Sequence, residues 1–160
     1  MPTTASLAAV TTNTTIETLL QVSPPSTRQL QVVGWGYTLD DPPGADAVFE
    51  LLQTDVAATV TAHTSTGIVK WDPNGTASLV TLGTTNTGYT STGEGSITAT
   101  RVFDARSLSS ASGESILEYE KNWPPVPGMG PLVAVSTFLR VRCFTPTTGV
   151  GARTWVDYLE

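Results

Sequence analysis

The amino-acid sequence predicts an all-β protein, folded as a two-sheet sandwich of the jelly-roll type. Three observations favour this class. Threonine is the most frequent residue, with 28 copies among 160 residues, and β-branched residues prefer strands. The 14 glycines and 11 prolines divide the chain into short segments, as turns between strands require. Glu, Lys, Leu and Ala contribute too little of the sequence for a coiled coil.

The first 15 residues differ from the rest of the chain. They are small and polar and show no sustained period, so we expect residues 1–15 to form a flexible N-terminal arm that orders on a partner. Residues 16–160 are predicted to form a single β-sandwich domain. A chain of this length can bury an ordinary core without the help of disulfides.

Short apolar or alternating runs bounded by turn residues predict roughly eight to ten strands. The clearest runs lie at residues 19–22, 30–37, 48–53, 68–71, 79–82, 96–103, 138–144 and 154–159. In the seventh run, Leu139, Val141 and Cys143 alternate with two arginines. We therefore expect these three side chains to face the core, with Cys143 as a buried and unreactive thiol.

Other segments have less regular patterns. Around Gly34 the apolar positions change from even to odd, which predicts a β-bulge. Residues 54–67 and 84–93 are rich in small and polar residues and are predicted to be connections. In residues 115–123 a helix capped by Ser115 competes with a strand. We favour the strand because the chain offers no other helix.

The set of reactive side chains is small. One cysteine and one histidine, His63, cannot form a Cys/His zinc site within one chain, and no phosphate-binding or dinucleotide-binding glycine motif is present. We therefore expect no enzymatic activity, no cofactor and no metal. Glu114, Glu118 and Glu120 leave one alternative open, as the acid and base of a glycosidase.

Charge and hydropathy exclude two kinds of partner. The net charge of −6 is the wrong sign for nucleic acid, whose binding requires clustered Lys and Arg. No apolar run reaches the ~20 residues of a membrane span. We expect neither nucleic acid nor membrane to be a partner.

A candidate partner-binding segment lies at residues 123–131. This run is apolar, rich in proline and mostly extended, so it loses little conformational entropy on docking. Its candidate contacts are Trp123, Pro124, Pro125 and Met129, because Trp and Met are favoured in interface cores. The alternative is a loop packed over its own sheet, with Trp123 in the core.

Arg140 and Arg142 are the second candidate for partner binding. Their alternation places both on the strand face opposite to the predicted core. They form either a solvated or ion-paired surface, or a contact with an acidic subunit.

Several runs together resemble a family of small virion proteins of tailed bacteriophages. These runs are TLLQV at 18–22, ELLQTD at 50–55, ASLV at 77–80, TATRVFD at 98–104, WP at 123–124, FLRVR at 138–142 and WVDYLE at 155–160. The chain is similar to capsid decoration (cement) or minor capsid proteins, many of them from phages of actinobacteria. It departs from the family at 124–131, where the expected charged residues are missing.

The resemblance implies a jelly-roll protein, made in the host cytoplasm, that binds the major capsid protein as a homotrimer on the outside of the head. It supplies no catalytic residues. Two alternatives remain open at this point. One is a tail or baseplate component. The other is a carbohydrate-binding β-sandwich module, with candidate aromatic contacts at Trp35, Trp71, Trp123 and Trp155.

Overall fold

Two antiparallel β-sheets packed face to face account for most of the chain, which confirms the predicted all-β sandwich. The computed structural model describes residues 3–5, 9–12, 15–110, 117–145 and 149–160. Apart from a 3-10 turn at Ser65–Gly67, these residues contain no helix. Within the same ranges, no helical segment could span a membrane.

The first sheet is built around two long central strands. Its strands are β1 (Thr3–Ala5), β2 (Ala9–Thr11), β4 (Leu30–Leu39), β7 (Ile68–Lys70), β10 (Glu118–Asn122), β11 (Leu132–Val133) and β13 (Gly151–Leu159). Their order is β10-β4-β13-β1-β7, while β11 also pairs with β4 and β2 with β13.

The second sheet has β3 and β12 at its centre. Its strands are β3 (Glu17–Val22), β5 (Ala47–Thr54), β6 (Thr59–Ala62), β8 (Gly88–Gly93), β9 (Thr100–Leu108) and β12 (Phe138–Phe144). Their order is β6-β8-β3-β12-β5-β9, so β9 forms one edge of this sheet.

The core lies between the sheets and follows the predicted alternation along β12. Leu139, Val141 and Cys143 are buried in it. From the first sheet, Tyr37 stacks on Phe49 with ring centroids 4.0 Å apart. Burial of each such side chain contributes about 1.5–3 kcal/mol, so these inward faces hold the two sheets together.

The predicted β-bulge at Gly34 is present. Asp157 of β13 pairs with Gly34, but its neighbour Tyr158 pairs with Val32. Val33 is therefore the extra residue, and the register of the apolar positions changes there as the sequence indicates.

The described part of the predicted N-terminal arm is not free. β1 pairs with both β13 and β7, and β2 pairs with β13. The Thr4 hydroxyl also donates to the carboxylate of Asp157. These contacts satisfy backbone groups that would otherwise lie along an open sheet edge, so residues 3–5 and 9–11 belong to the sandwich.

The structure corrects two of the expectations about local structure and confirms a third. Residues 79–82 form no strand and contribute only an isolated bridge between Leu82 and Thr87. Strands β6 and β8 occur in segments that were expected to be connections, because the β-branched threonines of these segments favour strands. β10 is a strand, as favoured, while Ser115 lies outside the described residues.

Candidate functional site

The loop between β10 and β11 is fixed by one side chain of β4. The Gln31 amide nitrogen donates to the Val126 carbonyl at 2.7 Å, and its amide oxygen accepts from the Gly128 N–H at 2.8 Å. A further backbone bond runs from the Met129 N–H to the Val126 carbonyl at 3.0 Å. The loop therefore has a defined shape instead of depending on proline stiffness alone.

The braced loop presents apolar side chains to solvent. Val126 is 51% exposed and Met129 59%, and Pro124 and Pro125 are exposed beside them. Leu132 continues the same surface into β11. We call these five residues the proline-loop patch. An ordered apolar patch of this kind suits docking because little motion has to be frozen.

Trp123 lies at the base of this loop and only partly on the surface. Its ring packs against the core cluster, and the Lys121 ammonium lies 5.2 Å from the ring centroid. The backbone N–H of Trp123 donates to the Val33 carbonyl at 2.8 Å. Trp123 therefore anchors the loop, and the exposed contacts are the prolines, Val126 and Met129.

Arg140 cannot meet a partner, which corrects one of the predicted site residues. Its side chain is 0% exposed. The guanidinium donates to Glu94 at 3.0 Å and to the carbonyl of Val56. The residues around Val56 and Glu94 cross the outer side of the second sheet and cover Arg140. Alternation along β12 predicts that Arg140 lies on the outer face of the sheet. It does not predict that other segments cover the side chain there.

Arg142 remains accessible. Its Nη2 atom lies 2.9 Å from the Glu50 carboxylate on β5, and both side chains are partly exposed. The pair borders a pocket of about 200 Å³ that Ile16 and Phe144 also line. Of the two predicted arginines, Arg142 alone lies where a second molecule could reach it.

The reactive candidates do not form a catalytic arrangement in the described structure. His63 is buried against Tyr89, and burial lowers its pKa. Cys143 is buried as predicted, and burial raises the pKa of its thiol to about 12. No three His, Cys, Asp or Glu side chains among the described residues could together hold a metal. Glu114 lies outside those residues.

The outer face of the first sheet carries a second cluster of polar and aromatic groups. Strand pairing sets Asn122, Gly34, Asp157, Thr4 and Val69 side by side across the sheet. The next row along the strands sets three residues side by side. They are Glu120, Gly36 and Trp155.

Gly34 and Gly36 have no side chains, and neighbouring side chains fill the space above them. A Cβ atom at Gly36 would lie 2.3 Å from Cζ2 of Trp155, so the indole lies directly over the backbone of β4. A Cβ at Gly34 would lie 2.6 Å from Oδ1 of Asn122 and 3.1 Å from Oδ2 of Asp157. Two oxygen atoms therefore converge above Gly34, next to a partly exposed indole.

The polar groups on this face have fixed orientations. The Asn122 amide nitrogen donates to Glu120 at 2.8 Å, which leaves its oxygen directed towards Gly34. Burial raises the pKa of Asp157, the hydrogen bond from Thr4 opposes that rise, and the negative charge of Glu120 adds to it. Trp71 extends the face, because its indole nitrogen donates to the Thr4 hydroxyl at 2.9 Å.

Sequence reasoning named Trp155 and Trp71 as aromatic candidates but missed the surface they share. The available signal was the alternation of Gly34 and Gly36 in one strand, which places both glycines on one face. Comparison with known proteins found no matching family, curated protein or solved structure.

Proposed function

We propose that this chain is a structural protein of a phage virion, a decoration protein that binds the outside of the head and stabilises the shell. The proline-loop patch is its docking surface for the major capsid protein, and the working form is a homotrimer. The observation that carries the proposal is the bracing of an exposed apolar loop by Gln31. Val126 and Met129 are thereby held in a fixed position while their side chains remain exposed.

The sequence resemblance and the rest of the fold support the same function. A decoration protein needs a rigid core, many weak contacts with the shell and no catalytic chemistry, since avidity provides the binding. The sandwich provides the core, and the patch provides apolar contact area. Arg142 with Glu50 offers a further polar contact on the second sheet.

The direct test is binding to heads made without this chain. Full-length protein is mixed with such heads, and bound and free protein are separated on a density gradient. We expect Val126→Ser with Met129→Ser to reduce bound protein at least tenfold while the isolated variant stays folded. Val69→Ser is the matched control, because Val69 is 53% exposed and lies on β7, across the first sheet from the edge strand β10 that precedes the loop.

Two results would overturn the proposal. One is wild-type protein that does not bind heads, or that copurifies with tails instead. The other is the loop variant binding as well as the Val69 control. Light scattering on the isolated protein tests the trimer separately, since the chain mass is 16.8 kDa.

A further inference from the structure

The cluster on the outer face of the first sheet shares no residue with the proline-loop patch and has its own chemistry. We call it the Trp155 face, formed by Trp155, Asp157, Glu120, Asn122, Thr4 and Trp71 around the two glycines. We propose that the Trp155 face binds a neutral polysaccharide. This inference goes beyond the proposed function and does not rest on it.

The aromatic groups fit the apolar side of a sugar ring. The Trp155 indole packs on Gly36, where its Cζ2 and Cε2 atoms lie 2.3 and 2.8 Å from the position that a Cβ atom would take. Trp71 is 59% exposed, and its ring is held by the bond to Thr4. A flat, fixed indole offers contact area with little entropy to lose.

The polar groups fit sugar hydroxyls. Oδ1 of Asn122 and Oδ2 of Asp157 lie over Gly34, 2.6 and 3.1 Å from the position that its Cβ atom would take. Both are acceptors, and Glu120 adds a carboxylate beside them. A ligand that bonds to this set must bring hydrogen-bond donors, as hydroxyl groups do. The Asn122 amide can approach β4 this closely only because residue 34 has no side chain.

The charge of the face selects a neutral ligand. Among the described residues of β4, β10 and β13, the acids Glu118, Glu120 and Asp157 share this side of the sheet with the exposed Arg153, so an acidic polysaccharide would be repelled. A metal ion does not fit, because the described residues hold no group of three ligands. A neutral glycan needs no counter-charge and uses both the indoles and the acceptors.

The spacing of the indoles favours a chain over a single sugar. Trp155 is on β13 and Trp71 follows β7, two strands away with β1 between them. Neighbouring strands are about 4.8 Å apart, so β7 and β13 are separated by roughly 10 Å across the sheet. A ligand that touches both must extend across the strands.

The test is native electrophoresis of the full-length protein in gels that contain dextran, hydroxyethylcellulose or galactomannan, with alginate as the acidic gel. We expect retardation by at least one neutral polymer and none by alginate. Trp71→Ala and Trp155→Ala should each weaken apparent binding about five- to tenfold. Met129→Ala is the matched control, because Met129 is exposed to the same 59% and is not one of the residues that form the Trp155 face.

Trp155→Ala is checked by circular dichroism, since the indole also covers Gly36. If that variant does not fold, Trp71→Ala and Glu120→Gln decide the outcome. The proposal is overturned if no neutral polymer retards the protein, if alginate alone does, or if the folded variants are retarded like wild type. Retardation by a neutral polymer that about 0.3 M salt abolished would show that charge, and not contact with the indoles, carries the binding, and would also overturn it. Head binding by the same variants is expected to be unchanged, which keeps the two proposals distinguishable.

Discussion

The guanidinium of Arg140 and the carboxylate of Glu94 form a 3.0 Å ion pair on the outer side of the second sheet. Glu94 also accepts from the backbone N–H and the hydroxyl of Thr18, at 2.6 and 2.7 Å. Arg140 reaches Val56 as well. One buried arginine therefore fastens two connecting segments to β3 and β12.

We predict that Arg140→Ala destabilises the fold by about 3–5 kcal/mol, because it removes a fully buried guanidinium and leaves Glu94 and the Val56 carbonyl without its bonds. Urea unfolding followed by tryptophan fluorescence measures the change. The double variant Glu94→Gln with Arg140→Met should lose less than the sum of the two single variants, since neither charge is then left unpaired.

Arg142→Ala is the comparison for this prediction. The Arg142 side chain is 15% exposed whereas that of Arg140 is 0% exposed, so the loss should stay within about 1 kcal/mol. Equal losses for the two arginine variants, or additive losses in the double variant, would show that the Arg140 ion pair has no special role in stability.

The contrast between the two arginines shows what the sequence could predict. Alternation in β12 correctly separated the core side chains from the arginines, because the period of a strand is local information. The burial of Arg140 depends on Val56 and Glu94, which are more than forty residues away along the chain. No local sequence pattern indicates that these distant segments bury the Arg140 side chain.

The two candidate surfaces also differ in how much of each the sequence could predict. The proline-loop patch could be predicted because prolines keep a segment extended and on the surface. Its brace at Gln31 could not, since that contact spans 95 residues. The Trp155 face required the register of three strands, and register follows from long-range pairing.

Asp104 connects the two sheets at their edges. From β9 it accepts hydrogen bonds from the Trp35 indole at 3.0 Å, the Tyr119 hydroxyl at 2.8 Å and the Lys121 ammonium at 2.9 Å. We predict that Asp104→Ala costs about 2–4 kcal/mol, because the buried indole of Trp35 loses its acceptor. Chemical denaturation measures the loss, and Glu118→Ala, an exposed acid on β10, should change stability by less than about 0.5 kcal/mol. Similar values for both variants would contradict the prediction.

Cys143 should be protected from thiol reagents in the native protein. It is 1% exposed, and burial together with the charge of Glu17 raises the pKa of its thiol to about 12, so almost no reactive thiolate forms at neutral pH. With Ellman's reagent we expect no fast reaction in buffer and one thiol per chain in denaturant. Rapid labelling of the folded protein would show that the strand opens easily at this position.

Acid sensitivity should depend on Asp55, which caps the segment before β9. Its carboxylate accepts the N–H groups of Thr98 and Ala99, both at 3.1 Å. The hydroxyl bond from Thr98, followed by the Ala99 bond, lowers its pKa from 3.8 to about 2. A carboxyl with a depressed folded-state pKa stabilises the fold above its unfolded value, and that stabilisation is lost as the pH falls from about 4 towards 2. Melting temperatures measured across this range should therefore fall less steeply for Asp55→Asn than for wild type, whereas Asp41→Asn, in an exposed turn, should follow the wild-type curve. Parallel curves for wild type and Asp55→Asn would show that this cap does not contribute to acid unfolding.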